Sequence, residues 1–101
     1  MIINYTPHEV NIVGLGIFPS AGVARAASSR EKVFQIDGIS VNQTSFGEVT
    51  GLPAETEGTW IIVSRIVAEA CKGLRSDLLI VDETVRNDEG VIVGAKAFAI
   101  I

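Results

Sequence analysis

Residues 59–82 read TWIIVSRIVAEACKGLRSDLLIVD: an apolar strand, an amphipathic helix and a second apolar strand. Thr59 to Val63 is continuous and rich in β-branched side chains, the pattern of a strand covered on both faces. Ile66, Val67, Ala70, Cys71 and Leu74 then fall at offsets that gather into one helical stripe. Arg65, Glu69 and Lys72 take the other side, with Arg65 and Glu69 four apart and able to pair. Ser64 as N-cap and Gly73 as C-terminal stop predict a helix over about 64–73. Leu78 to Val81 returns as a second buried strand. Such a unit is expected to be parallel with a right-handed crossover, and the short connection leaves an antiparallel return open.

The rest of the chain reads as short strands punctuated by turns. Ile2-Ile3 and Val10 to Val13 flank a bend at Thr6-Pro7-His8-Glu9, where Pro7 suits a turn and biases Thr6 to extended backbone. Gly14-Leu15-Gly16 predicts a hairpin tip, Pro19 to Gly22 a turn, and Val23 to Ala27 a strand of small residues. Val33 to Ile36 and Ile39 to Val41 alternate about Asp37-Gly38, a strong hairpin signal. Thr44 to Pro53 mixes turn formers with isolated apolar residues and predicts a short strand, followed by an acidic loop through Glu55 to Gly58. Asn87 to Gly90 separates Thr84-Val85 from Val91 to Val93 as a second polar-tipped hairpin. The expectation is one α+β domain over 1–101: a mixed, mostly antiparallel sheet of six or more strands, with one main helix on one face.

Composition narrows the function classes. The apolar share of 48% is high for 101 residues, because a domain this small buries only about 60–65% of its unfolded surface. A homo-oligomer is therefore expected, with the C-terminal run Val91 to Ile101 as the surface to be covered. A formal charge of −4 argues against a nucleic-acid polymer as partner, which requires a basic footprint. No stretch reaches the ~18 apolar residues of a membrane span. The start MIINYTPHE lacks the basic and apolar regions of a signal peptide, so a cytoplasmic location is expected. One cysteine, Cys71, permits neither an internal disulfide nor a Cys-based zinc site, and its place on the apolar stripe marks a structural thiol. No cofactor or metal is expected.

Few residues carry chemistry. Ser64 and Arg65 stand where a helix start offers unpaired N–H groups, and arginine adds planar recognition of phosphate or carboxylate. The alternative is that Ser64 only caps its helix while Arg65 pairs with Glu69. Ser20 in its turn, followed by Arg25, could cradle an anion or be no more than a turn. Arg86 is a further candidate donor. His8, the only histidine, could act as a general base oriented by Asn4 or Glu9, or sit idle at the bend beside Pro7. Ser64 lacks the Gly-x-Ser-x-Gly setting of a nucleophile elbow. Asp77, Asp82 and Glu83 could supply a pair for acid–base work but read first as solvated strand-end acids, and Trp60 and Phe46 could stack on a base or sugar, although Trp60 reads first as a core residue of its strand.

Three stretches together resemble a family of small bacteriophage and bacterial proteins of about this chain's length. They are Asn4-Tyr5-Thr6-Pro7-His8-Glu9-Val10, Phe46 to Pro53, and the run from Ile62 to Arg65 through Asp77-Leu78-Leu79 to Val85-Arg86-Asn87-Asp88-Glu89-Gly90. The resemblance spans most of the chain and implies a phage setting; it assigns no residue a role. The layout is also weakly similar to that of viral ring nucleases that degrade cyclic oligoadenylates, where a strand ends in a Ser-Gln-Arg helix start. Ser64-Arg65 stands at that point, but the middle region has no histidine, so this similarity does not carry cleavage over and leaves binding open.

The expected function is non-enzymatic sequestration of an anionic, nucleotide-derived small molecule, such as a cyclic nucleotide, by a homo-oligomer that blocks a bacterial defence. Ser64, Arg65, Ser20, Arg25 and Arg86 would supply the donors. The alternatives are a hydrolase or phosphodiesterase using His8, and a protein–protein blocker or structural protein of a phage.

Overall fold

The computed structural model describes residues 1–101, of which residue 46 only by its backbone. Eight strands and one helix follow in order: β1 (Ile2–Asn4), β2 (Val10–Ile12), β3 (Gly16–Phe18), β4 (Arg25–Ile36), β5 (Ile39–Thr50), β6 (Trp60–Ile62), α1 (Arg65–Ala70), β7 (Leu78–Arg86) and β8 (Ile92–Ala99). Six strands form one mixed sheet in the order β1-β6-β7-β8-β2-β3, and β4 and β5 form a separate hairpin. This is the α+β class that the sequence pattern predicts, with the helix on one face.

The opening segment folds as a parallel unit: β6 lies between β1 and β7 and runs parallel to both, so the antiparallel return is not used. Buried neighbours on both sides explain why Ile61, Ile62 and Val63 are at most 2% exposed. Beyond β7 the sheet turns antiparallel into β8, then meets β2 in parallel at Ile12–Ala95. The far edges are brought back together. Asn4 bridges Ser20 just after β3, with the Ala21 N–H donating to the Asn4 carbonyl at 2.8 Å and the Ala24 N–H to Tyr5 at 3.0 Å. The six strands thus curl into an almost closed wall.

The core lies between this sheet and the helix. Ala24, Ile61, Val63, Leu78 and Ile80 meet Val67, Ala68 and Cys71 of the helix side, with Tyr5, Val49 and Leu52 packed around them. On the other sheet face Ile12 and Ile62 are fully buried, and Phe18 meets Phe98 edge-on at 6.0 Å.

Several expectations need correction. The helix has six residues rather than the ten of 64–73, because the chain turns at Cys71 and passes Gly73 at φ +82°. Its buried face is Val67, Ala68 and Cys71. Ile66 and Leu74, assigned to the stripe, are 49% and 79% exposed: one sits past the edge of the covered face, the other beyond the helix. Trp60 is 42% exposed because it is the first residue of β6, ahead of the covered part of the strand. Asp82 and Glu83 lie inside β7, not at its end, and Asp77 is buried. The hairpin turns at Asp37-Gly38 as expected, both with positive φ, but its strands run twelve residues each and take in the stretch read as turn-rich. The C-terminal run is partly used within the chain through Phe98, leaving Ile100 and Ile101 bare.

Candidate functional site

A cleft of about 610 Å³ opens between the C-terminal end of β6, the adjoining residues Ile80 and Val81 of β7, and the paired strands β2 and β8. Its floor is apolar: Ile62, Val63, Ile80, Val81, Val93 and Ala95. Its rim is polar, with Thr6, His8 and Glu9 from the β1–β2 bend and Asn11 from β2 on one side and Ser64 and Arg65 at the helix start on the other. The parallel β6–β7 pair ends at this point, which leaves the helix start exposed beside the floor rather than buried under it. Of the sequence candidates, the fold brings Ser64, Arg65 and His8 to one cleft. Ser20, Arg25 and Arg86 do not line it.

Ser64 has extended backbone (φ −68°, ψ 157°), and its Oγ accepts the Val67 N–H at 3.3 Å, the bond of an N-cap. Arg65 directs Nε to Glu69 Oε1 at 3.2 Å. This exposed pair contributes little to stability. Among the described residues Nη1 and Nη2 of Arg65 have no partner, so its two outer nitrogens are free to face a ligand.

His8 is placed by Asn4, though not in the way its chemistry would require. Asn4 is 1% exposed and uses its whole amide. Nδ2 donates to the main-chain carbonyls of His8 (2.8 Å) and Phe18 (2.9 Å), while Oδ1 accepts from the Thr6 N–H (2.9 Å) and Oγ1 (2.6 Å). Thr6 Oγ1 also reaches the His8 carbonyl at 2.9 Å. Asn4 therefore fixes the bend and ties it to the end of β3. The His8 ring is exposed, and neither Asn4 nor Glu9 bonds it. A general base requires a positioned imidazole, and this one is not held.

The remaining candidates have structural partners. Ser20 Oγ lies 2.7 Å from the Thr6 carbonyl and 3.1 Å from that of Gly22, with its one proton directed at the nearer, closing the junction between β1 and β3. Arg86 donates to the Gly90 carbonyl at 2.7 Å across its own hairpin. Arg25 begins β4, exposed, opposite Thr50. Among the described residues no group of three His, Cys, Asp or Glu side chains comes together to hold a metal, and no helix is long and apolar enough to cross a membrane.

The strongest ion pair is one that residue-type reasoning missed. Arg75 grips Asp77 with Nε–Oδ1 at 2.9 Å and Nη2–Oδ2 at 2.6 Å, and Nη1 donates to the Pro53 carbonyl at 2.7 Å. The hydrogen bond from Arg75 holds the Asp77 carboxyl below its ordinary range although burial pushes the other way; the same bond raises Arg75. The Asp77 carbonyl meanwhile accepts the Ile61 N–H. The pair locks the loop after β5 onto the start of β7, well away from the cleft residues. Its spacing, Arg-Ser-Asp ahead of a strand, was the available signal.

Comparison with family models, with curated proteins and with solved structures finds no match to this chain.

Proposed function

We propose that the protein is a non-enzymatic binding module that holds an anionic, nucleotide-derived small molecule in the cleft beside Ser64 and Arg65. The observation that carries this reading is the cleft itself: its volume lies in the range of small-molecule sites, its floor is apolar, and Arg65 stands at its rim with both outer nitrogens unengaged. An apolar floor suits the flat face of a base, and a free guanidinium edge suits a phosphate. The same geometry speaks against a cutter. Ser64 Oγ is occupied as a cap, and His8 has neither an orienting partner nor a nucleophile bonded to it. Ser20, Arg25 and Arg86 drop out of this single cleft, so the ligand would be gripped by Arg65, His8 and the Ser64–Arg65 main chain. In the phage setting that the sequence resemblance implies, such a protein would withdraw a nucleotide signal from a bacterial defence.

Calorimetric titration against a panel of linear and cyclic nucleotides tests the reading. One member is expected to bind, and Arg65→Ala to weaken it roughly tenfold or more, the size of a lost charge-assisted hydrogen bond. Absence of binding across the panel sinks it. Because His8 and Arg65 share the cleft, the second reading is phosphodiester hydrolysis with His8 as base. It requires product to form from the bound nucleotide and to vanish in His8→Ala.

A further inference from the structure

We propose that the β4–β5 hairpin is a docking arm that lays its apolar tip across the cleft side of a second copy of the chain, each copy doing so to the other. The arm's register places Phe34 opposite Val41 and Ile36 opposite Ile39, so all four share one face. No charged residue interrupts that face at the tip; a register shift between Lys32 and Phe34 sets it apart from the polar, charged stem of Ser29, Arg30, Glu31 and Lys32. Phe34, Ile36 and Ile39 are 53%, 54% and 68% exposed. A two-stranded ladder with one bare apolar face is marginal in water, and the alternation encodes a covered face that this chain does not itself provide. The radius of gyration, 16.2 Å, against about 13 Å for a compact chain of this length, reflects the arm's reach.

Area selects the occupant. The four tip side chains leave on the order of 350 Å² bare per arm, taking an aromatic side chain at about 200 Å². Two arms stacked on each other would then remove about 700 Å² in total, short of the ~1,200 Å² that a specific interface needs. The body offers a second bare patch of similar size: Val13 and Leu15 at the β2–β3 turn and Ile92 and Val93 of β8, 48%, 84%, 50% and 48% exposed. Asn11 Nδ2, on β2 ahead of this turn, donates to the Val93 carbonyl at 3.3 Å, and Ile92 and Val93 also line the cleft. Reciprocal arm-on-body docking buries two arm faces and two body patches, on the order of 1,400 Å², which reaches the standard size. A two-fold arrangement closes it without an open-ended chain of contacts.

The proposal stands without any ligand, so its test is independent of the titration above. Light scattering coupled to size exclusion, at protein on the order of 100 µM, is expected to show a dimer for the unchanged protein and a monomer for Ile39→Glu with an unaltered circular dichroism spectrum. A monomeric unchanged protein, or a dimer that survives Ile39→Glu, overturns it. Cysteine pairing then distinguishes the two geometries, since Cys71 is buried and silent. Under mild oxidation Ile39→Cys mixed with Val93→Cys is expected to give the mixed disulfide. An Ile39→Cys homodisulfide in place of the mixed one shows arm on arm and overturns the arm-on-body proposal.

Discussion

Asn4 shows how one buried amide can set the shape of a site without taking part in its chemistry. Its four hydrogen bonds hold the bend that carries His8 to the cleft rim. Replacing it with alanine takes the side-chain partner from the Phe18 carbonyl and the Thr6 N–H, while the Thr6 hydroxyl still reaches the His8 carbonyl, so Asn4→Ala is expected to cost about 2 kcal/mol or more in a denaturant titration. The motif from Asn4 to Val10 stands out in the sequence, but its meaning does not: residue types cannot say whether an amide binds an imidazole or the main chain beside it. Asp77 makes the same point. As a strand-end acid it reads as solvated, and only the fold shows Arg75 closing on it. Its folded carboxyl binds protons more weakly than the ordinary value of 3.8. Its contribution to stability is therefore complete above that value and is lost as the pH falls from there through the lower folded value. Urea midpoints measured down the acid range should fall on that limb, and Asp77→Asn should flatten it while lowering stability by about 1.5–3 kcal/mol at neutral pH, the range for a hydrogen bond to a charged group, because Glu55 at 4.0 Å and the Pro53 carbonyl still hold Arg75.

At the scale of elements, legibility followed burial. β6 and the first residues of β7 are plain in the sequence because strands flanked by others on both sides are apolar there, whereas the exposed, polar continuation of β7 from Asp82 to Arg86 does not read as part of the same strand. The helix was plain in kind but not in extent: the 3.6-residue spacing continues through the turn after Ala70, so Leu74 matched a stripe it does not join. The long hairpin was the opposite case. Its stem has solvent on both sides, so no apolar alternation marks Ser28 to Lys32 or Asn42 to Ser45 as strand, and only the turn and the tip carried a signal. Ser64 illustrates how modest a cap can be. At 3.3 Å its bond to Val67 is long, so Ser64→Ala is expected to cost only about 0.5 kcal/mol, the low end for a cap. A larger loss would mean that the hydroxyl has a further role. Gly51, which ends the arm, is under far stricter control. It sits at φ +90°, and a Cβ there would lie 2.3 Å from the Val23 carbonyl oxygen. Gly51→Ala combines left-handed backbone with a main-chain clash and should cost at least about 2 kcal/mol by thermal or urea unfolding.

The whole molecule divides into a sheet-and-helix body with most of the buried side chains and an arm with almost none. Stability should divide in the same way, since local opening follows the density of buried apolar contacts. In a dilute sample, amides of the arm's outer half, residues 29–45, should exchange with solvent hydrogen early, and those of Ile61 to Val63 and Leu78 to Ile80 last. A freely projecting arm would give that profile at every protein concentration. An arm tip seated on a second copy would not, because association removes the tip from water and adds a stabilisation that grows with protein concentration. Hydrogen exchange read by mass spectrometry should therefore show Phe34 to Val41 slowing as the sample is concentrated. Val13, Leu15, Ile92 and Val93 should slow with them, while the β6–β7 core stays unchanged. Coupled protection at two sites so far apart in the chain is what docking requires and what intrinsic stiffness of the hairpin cannot produce.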